Sequence, residues 1–251
     1  MLGGLIVAAT SAGVALFVDA CGALILLAAV LASIPRTGAG RDALRRARAG
    51  ASGWRVLRRR PVAARLLVVV FFFNFFYMPI EVALPLYVRE SLGADASGLG
   101  LMWGALGVGA FAGAALVNQL RHLPQRHVLI AIVGLWAMCP VVLAFVGDLT
   151  FAMIVFALGG LVWAPFTPVA YSFLQSGVEP EEQQQVVTLW TTGSTLAAPL
   201  GLTTGGPLVE LAGSTGGLVL SGGLTLLLLP IAALAVLRRG RTNHAGTPDR
   251  R

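Results

Sequence analysis

Charged side chains are scarce in this chain of 251 residues, and lysine is absent from it. Asp, Glu, Lys and Arg together make up 12% of the sequence, against about 25% in soluble domains. Hydrophobic residues make up 57%, and the mean hydropathy is +0.82. These values exclude an ordinary soluble domain and indicate a polytopic membrane protein.

Cysteine is scarce as well. The two cysteines, Cys21 and Cys139, both fall inside apolar runs, without the close pairing or spacing of disulfides or zinc sites. We therefore expect both to be small buried hydrophobic side chains. His122 and His127 lie in a basic loop without other ligand residues, and the sequence shows no nucleophile–base pair or phosphate-binding loop. It thus predicts no enzyme activity, no metal site and no cofactor.

Apolar stretches of about 20 residues dominate the sequence, and each is long enough to cross a membrane as a helix. Seven complete spans are predicted, and a shorter apolar fragment precedes them. The fragment is 2–11, and the spans are 14–34, 65–88, 98–120, 128–147, 151–173, 186–209 and 214–237.

The short fragment is not typical of a signal peptide, because it lacks a charged leader and a small-residue cleavage site. As a helix it would cover only about 15 Å of a hydrocarbon core of about 30 Å. We expect it to be the end of a helix whose earlier part is missing.

Arginine is concentrated on one side of the predicted topology. Ten of the 18 arginines lie in residues 36–65, and seven more follow the span 98–120 or the last span, which leaves only Arg89 opposite. Positive residues favour the cytoplasmic side of a membrane protein. The distribution predicts a multi-pass protein of the inner (plasma) membrane with a cytoplasmic C-terminus.

The arginine-rich segment allows two interpretations. A nucleic-acid surface needs a folded platform or interleaved aromatic residues, and this segment offers only Trp54. A helix at the membrane surface fits better, because Trp54 and Leu57 share one helical face and Pro61 precedes the next span. We therefore expect contact with the lipid bilayer and no nucleic-acid partner.

An internal repeat is visible between the two ends of the chain. "GGLIVAATSAGVALFVDACGALILLAAVLASIPR" and "GGPLVELAGSTGGLVLSGGLTLLLLPIAALAVLRR" share a layout of paired glycines, a short break, one span and a final arginine. The offset of 202 residues places Gly3 on Gly205 and Arg36 on Arg238, with six spans between equivalent points. Parallel repeats of six spans are typical of major facilitator transporters.

The chain resembles the second half of a major facilitator superfamily transporter, close to the enterobactin-exporter-like drug and siderophore efflux branch. "GWRVLRRRPVAARLL" resembles the linker between halves, and "ALPLYVRESLGADASGLGLMWGALGVGAFAGAAL" resembles the seventh and eighth helices. "QSGVEPEEQQQVVTLWTTGSTLAAPLGLTTGGPLVELAG" resembles the eleventh. Two loops depart from the family pattern: 183–185 has three glutamines in place of a basic element, and "LRHLPQRHVLI" lacks an acidic residue and a glycine.

The resemblance implies an all-α membrane bundle that is truncated at its N-terminus. Residues 1–34 would be a remnant of the first half, 35–64 a basic cytoplasmic linker, 65–237 a six-helix bundle and 238–251 a basic tail. The implied function is secondary active transport by alternating access, as a proton-coupled antiporter that exports a small amphipathic compound. Its partners would be the substrate, protons and the missing N-terminal half. The alternative is a non-transporting remnant, or a half-unit that needs a partner half.

Glu81 is the best candidate for proton coupling, because it lies inside a span between Pro79 and Pro85, where a charge is costly. A shallow, purely structural position near the interface is the competing interpretation. Asn74 lies two helical turns earlier, so both side chains are expected on one face, where the amide could bind substrate or join helices.

Two aromatic residues and several glycines complete the candidate set. Tyr171 and Trp190 are candidates for a substrate path, or for the aromatic belt at the membrane interface. Small residues at helical spacing predict close packing of helices. The packing glycines are Gly100, Gly104, Gly109, Gly113, Gly205 and Gly206.

Overall fold

The computed structural model describes residues 12–33, 53, 56–120 and 122–237. The fragment 2–11, most of the linker including Trp54, and the tail 238–251 lie outside these residues. Regular structure in the described part is helical throughout, and five helical stretches have the length and hydropathy of membrane spans. The prediction of an all-α polytopic membrane bundle is thereby confirmed.

Eight helices, numbered here in chain order, account for the described fold. They are α1 Ala12–Ser33, α2 Pro61–Glu90, α3 Ala96–Leu120, α4 Gln125–Leu143, α5 Leu149–Trp163, α6 Phe166–Ser176, α7 Pro180–Leu226 and α8 Leu228–Leu237. Each predicted span has a helical counterpart. The span predicted at 151–173 is divided between α5 and α6 by a turn at Ala164 and Pro165.

The helix α2 is a long membrane span. Its 30 residues correspond to about 45 Å, which exceeds a hydrocarbon core of about 30 Å. Pro61 occupies the first turn, where its missing N–H costs nothing. Pro79 and Pro85 lie inside the helix and each removes one backbone hydrogen bond without ending it.

A single glycine divides the last long helix. Gly213 has a φ of 73°, a left-handed conformation that favours glycine, and it separates two helical parts of α7. The turn predicted at 210–213 is therefore present as a sharp bend. Immediately after it, the Ser214 hydroxyl donates to a carboxylate oxygen of Glu90 over 3.1 Å, which ties the bend to the end of α2.

The core lies between α2 and the helices around it. The helix α2 packs mainly against α7, and α3 packs mainly against α5, while α4 contacts α5, α7 and α8. Large apolar side chains also cover the outer surface, such as Phe111 at 82% exposure and Leu211 at 90%. In water such a surface would drive aggregation, whereas in a bilayer it faces lipid.

The glycines of α3 allow its backbone to touch that of α5. A Cβ on Gly109 would lie 1.7 Å from the Ala157 carbonyl oxygen, and one on Gly113 would lie 2.2 Å from that of Leu161. Gly104 is buried on the same helix and Gly100 is half-buried. The close contact of the two helices therefore depends on positions that exclude every larger side chain.

The second glycine group behaves differently from the expected pair. A Cβ on Gly205 would lie 3.1 Å from Pro79 Cα, whereas Gly206 has no neighbouring atom within 4 Å. Gly201, one turn earlier, would place a Cβ 2.6 Å from the Phe75 carbonyl oxygen. The close approach of α7 to α2 thus involves Gly201 and Gly205 rather than Gly205 and Gly206.

The two cysteines differ in environment. Cys139 is buried in α4, as expected, and its thiol lies 3.7 Å from the Val155 carbonyl oxygen. Cys21 is half-exposed on α1, so the expectation that both are buried was wrong for this one. The reason is that α1 presents neighbouring apolar side chains outward, including Leu24 and Ile25.

A carboxylate precedes α3 and supports its first turn. The Asp95 carboxylate accepts hydrogen bonds from the Ser97 hydroxyl and from the backbone N–H groups of Ser97 and Gly98. These bonds, that of the Ser97 side chain foremost, hold the pKa of Asp95 below its ordinary value.

The depressed pKa of Asp95 predicts how the stability of this turn depends on pH. The contribution of Asp95 to the stability of the turn is present above the ordinary pKa of an aspartate. It is lost as the pH falls through the lowered pKa of the folded state. We expect Asp95→Asn, which keeps an accepting oxygen, to remove this acid dependence while retaining the cap. Amide hydrogen exchange of residues 96–100 between pH 2 and pH 6 (about the range over which aspartates titrate) measures it; an unchanged pH profile in Asp95→Asn would contradict the assignment.

Candidate functional site

Glu81 lies within the membrane-spanning part of α2. It precedes the last residue of the helix, Glu90, by nine positions, which corresponds to about 14 Å. If the helix is centred in the core, its end projects by about 7 Å, so Glu81 lies about 7 Å inside the hydrocarbon boundary. Its side chain is half-buried. A carboxylate at this depth requires polar partners or water on its open side.

The partner of Glu81 is Tyr77, one helical turn earlier on the same helix. The phenol of Tyr77 lies close to the carboxyl group of Glu81. An i, i+4 pair of this kind meets on one helical face. The carboxylate is therefore connected to the rest of the bundle through Tyr77.

Tyr77 in turn belongs to a cluster of three aromatic rings contributed by α2, α4 and α5. Its ring centroid lies 5.7 Å from that of Trp136 and 6.2 Å from that of Trp163, and the two indoles lie 6.4 Å apart. Trp136 is 1% exposed and closes the back of the cluster, whereas Trp163 is 38% exposed and forms its open side. We refer to Tyr77, Glu81, Trp136 and Trp163 as the acidic aromatic site.

Further rings extend this site along the bundle. Phe73, one turn before Tyr77, stacks on Phe166 at a centroid distance of 4.0 Å. Beyond them, Tyr171 of α6 and Trp190 of α7 meet edge to face at 5.9 Å. Tyr171 and Trp190, both predicted to line a substrate path, therefore contact each other. They lie at the far end of a series of aromatic pairs.

Asn74 follows Phe73 on α2, and its side chain forms a hydrogen bond within that helix. Its side-chain amide donates to the Val70 carbonyl oxygen over 2.8 Å. Like Glu81, Asn74 is half-buried. Among the described residues, no donor forms a hydrogen bond with the amide oxygen of Asn74. The nitrogen of the side chain is therefore anchored, and its oxygen is available.

The sequence interpretation missed Tyr77, Trp136 and Trp163. Tyr77 could have been found from its position four residues before Glu81, because such pairs share a helical face. The two tryptophans lie on other helices, 59 and 86 positions after Tyr77 by their numbers, and no sequence periodicity links them to it. Their convergence depends on how α4 and α5 pack against α2.

The sequence of the chain is similar to one known family and to several efflux pumps. Residues 1–241 match the family described as "Transmembrane secretion effector". The chain is 28% identical over 199 residues to the multidrug efflux pump Tap of Mycolicibacterium fortuitum, which covers 78% of the chain and 48% of that protein. It is 30% identical over 144 residues to Tap of Mycobacterium tuberculosis, with 55% and 33% of the two chains covered. No solved structure gives a significant match. The chain spans about half the length of the curated relatives it matches.

Proposed function

Because this chain belongs to the transmembrane secretion effector family of major facilitator transporters, we propose that it acts in the proton-coupled export of small amphipathic compounds. The observation that carries the proposal is the acidic aromatic site. It combines one carboxylate within the membrane-spanning depth with aromatic rings that are accessible on one side. Transport of this kind uses binding at the interface of two bundles, with alternating access from the two sides of the membrane.

The carboxylate of Glu81 supplies the coupling step in this proposal. A half-buried carboxylate inside a membrane is stable when it is protonated or paired, and it releases its proton when water reaches it. Alternating access changes which side supplies that water. Glu81 would therefore take up a proton on one side and release it on the other, while the substrate moves in the opposite direction.

The rings of the site define the chemistry of the substrate. Trp163 and Tyr77 offer flat apolar faces that are negatively polarised, and the carboxylate adds a full negative charge when ionised. An amphipathic compound that carries a positive group would bind the carboxylate and the rings together. Proton binding to Glu81 would then weaken the attraction and release the substrate, so one residue couples both ligands.

Replacement of Trp163 tests the substrate contact. In a protein of the relatives' full length that contains this segment, we expect Trp163→Ala to raise the KM for a fluorescent amphipathic cation about tenfold, because loss of one ring contact costs about 1.4 kcal/mol. Export is measured in everted membrane vesicles under a pH gradient. Phe111→Ala removes an exposed ring on α3 and serves as the control. A KM that changes equally in both variants would contradict the site.

The same assay addresses a second candidate function, a half-unit that needs a partner half. The match over only 48% of Tap favours testing it directly. The chain is reconstituted alone and together with a separately expressed first half. Transport only in the second case supports the half-unit, whereas no pH-driven export in any format would overturn the proposed function.

A further inference from the structure

An apolar groove at the surface of the described bundle lies between α2 and α7, toward the other end of α2 from Glu81. Its volume is about 540 Å³. The groove is lined almost entirely by apolar side chains, with one charged residue at its end. Its lining includes Arg58, Ala64, Val68, Phe72, Gly193 and Leu196.

The groove extends into one leaflet of a bilayer. Ala64 and Phe72 lie eight residues apart on α2, which corresponds to about 12 Å along the helix. One leaflet contributes about half of a hydrocarbon core of about 30 Å. The groove therefore begins near the membrane surface at the start of α2 and extends about 9 Å into the hydrocarbon core, a depth that the upper part of one acyl chain occupies.

One charged residue lies at the open end of this groove. Arg58 lines it and is exposed, on the short helical segment 56–59 that precedes α2. In the described part of the chain, both ion pairs use Arg60, which contacts Glu179 and, over 3.5 Å, Glu182. The positive charge of Arg60 is thus compensated within the protein, whereas that of Arg58 faces the groove.

The segment that carries Arg58 is held in place by packing. Val56 is buried, and a Cβ on Gly53 would lie 2.8 Å from the Leu189 side chain of α7 and 3.1 Å from the Gln185 carbonyl oxygen. The end of the linker therefore rests on α7, and Arg58 is positioned above the groove rather than free in solution.

We propose that this groove binds one anionic phospholipid, with an acyl chain between α2 and α7 and the phosphate on Arg58. The apolar lining and its depth match the upper part of an acyl chain, and the exposed arginine at the surface end matches an anionic headgroup. The bound lipid joins the linker to two helices of the bundle. Lipid composition would thereby affect how firmly the linker is attached, independently of the chemistry at Glu81.

Two variants test the two halves of the lipid separately. Arg58→Gln removes the charge, and we expect it to weaken phosphatidylglycerol binding about fivefold, equivalent to about 1 kcal/mol for one arginine at the surface. Gly193→Leu adds a side chain in the groove, and because a Cβ added at Gly193 meets no atom within 4 Å, we expect the fold to be preserved. We expect it to reduce the binding of phosphatidylglycerol about tenfold.

Matched controls exist for both changes. Arg59→Gln removes the adjacent exposed arginine, which does not line the groove, and Gly223→Leu adds the same side chain at another open glycine of α7. Native mass spectrometry of the detergent-purified chain, titrated with phosphatidylglycerol or with phosphatidylcholine, gives the number of bound lipids and their affinity. Preference for phosphatidylglycerol that is lost in Arg58→Gln and Gly193→Leu but kept in both controls is the expected result.

Other occupants give different results. Equal retention of the two lipids, or equal effects of Arg58→Gln and Arg59→Gln, would overturn the proposal. If a second copy covers the groove, Thr192→Cys, at another lining position, forms a disulfide-linked dimer and phosphatidylglycerol shows no preferential binding. That outcome would also reject the lipid site.

Discussion

A transporter that carries Glu81→Gln is expected to lose export driven by a pH gradient by about 100-fold or more, the scale on which removal of a proton-transferring group acts. Glutamine keeps the size and hydrogen bonding of the side chain but cannot exchange a proton. Substrate-dependent proton movement in everted vesicles should disappear with it. Binding of a cationic substrate in detergent should weaken, since glutamine carries no negative charge, but it should not be abolished, because Tyr77, Trp136 and Trp163 remain in place.

Glu90→Gln is the matched control for this change. Glu90 is on the same helix, is exposed at its end and accepts a hydrogen bond from Ser214. Its replacement removes the same charge without touching the acidic aromatic site, and we expect coupled export within about twofold of the parent (about 0.4 kcal/mol). Glu81→Asp, which retains an exchangeable proton, should restore part of the coupling.

Two outcomes of the Glu81→Gln experiment would give a different explanation of Glu81. If Glu81→Gln leaves proton movement per exported substrate unchanged, Glu81 is a structural carboxylate that pairs with Tyr77. If both Glu81→Gln and Glu90→Gln abolish export to the same degree, loss of folded protein explains the effect. The amount of folded protein, measured by size-exclusion chromatography, separates that case.

The variant Gly109→Leu is expected to have the largest effect on stability. The Cβ alone would overlap the Ala157 carbonyl oxygen at 1.7 Å, so α3 and α5 must separate along their shared length. Overpacking of a closely packed core costs about 3 kcal/mol at its upper end. Separation also removes the dispersion contacts that hold membrane helices together, because lipid supplies no hydrophobic driving force.

Gly107→Leu, two residues earlier on the same helix, isolates this steric effect. Gly107 has no atom within 4 Å of an added Cβ. Leucine is favoured over glycine in a helix by about 0.8 kcal/mol, so this variant should be neutral or slightly more stable. Reversible unfolding in detergent with increasing dodecyl sulfate measures the stability of both variants. Equal stability of Gly109→Leu and Gly107→Leu would show that α3 and α5 do not approach as described.

Much of the architecture could be predicted from the sequence because membrane spans are determined by length and hydropathy. A run of 20 apolar residues has no other stable arrangement in a bilayer than a helix, so spans such as 65–88 and 98–120 were located within a few residues. The boundaries of the last two spans were also found, since Gly213 lies in the predicted turn. The turn within 151–173 was not predicted, because it has no polar residue to mark it.

The candidate site was predictable only in part. A lone carboxylate in an apolar run identifies Glu81 whatever surrounds it, because its desolvation is costly everywhere in a membrane. The aromatic neighbours have no such mark, since aromatic residues occur at both exposed and buried positions of this chain, such as Phe111 and Phe73. Gly206 and Gly201 show the same limit: both are glycines in α7, and only the packing against α2 distinguishes them.

The sequence by itself determined that this is a helical membrane protein of the major facilitator type and that Glu81 lies within one of its spans. Those properties depend on the free energy of transferring each segment into lipid, which is local to the segment. Tertiary structure alone decided that Trp136 and Trp163 meet Tyr77, that Gly109 touches Ala157, and that Arg58 stands over an apolar groove. These contacts join residues from separate helices, and their positions follow from how the helices pack together rather than from the composition of any one of them.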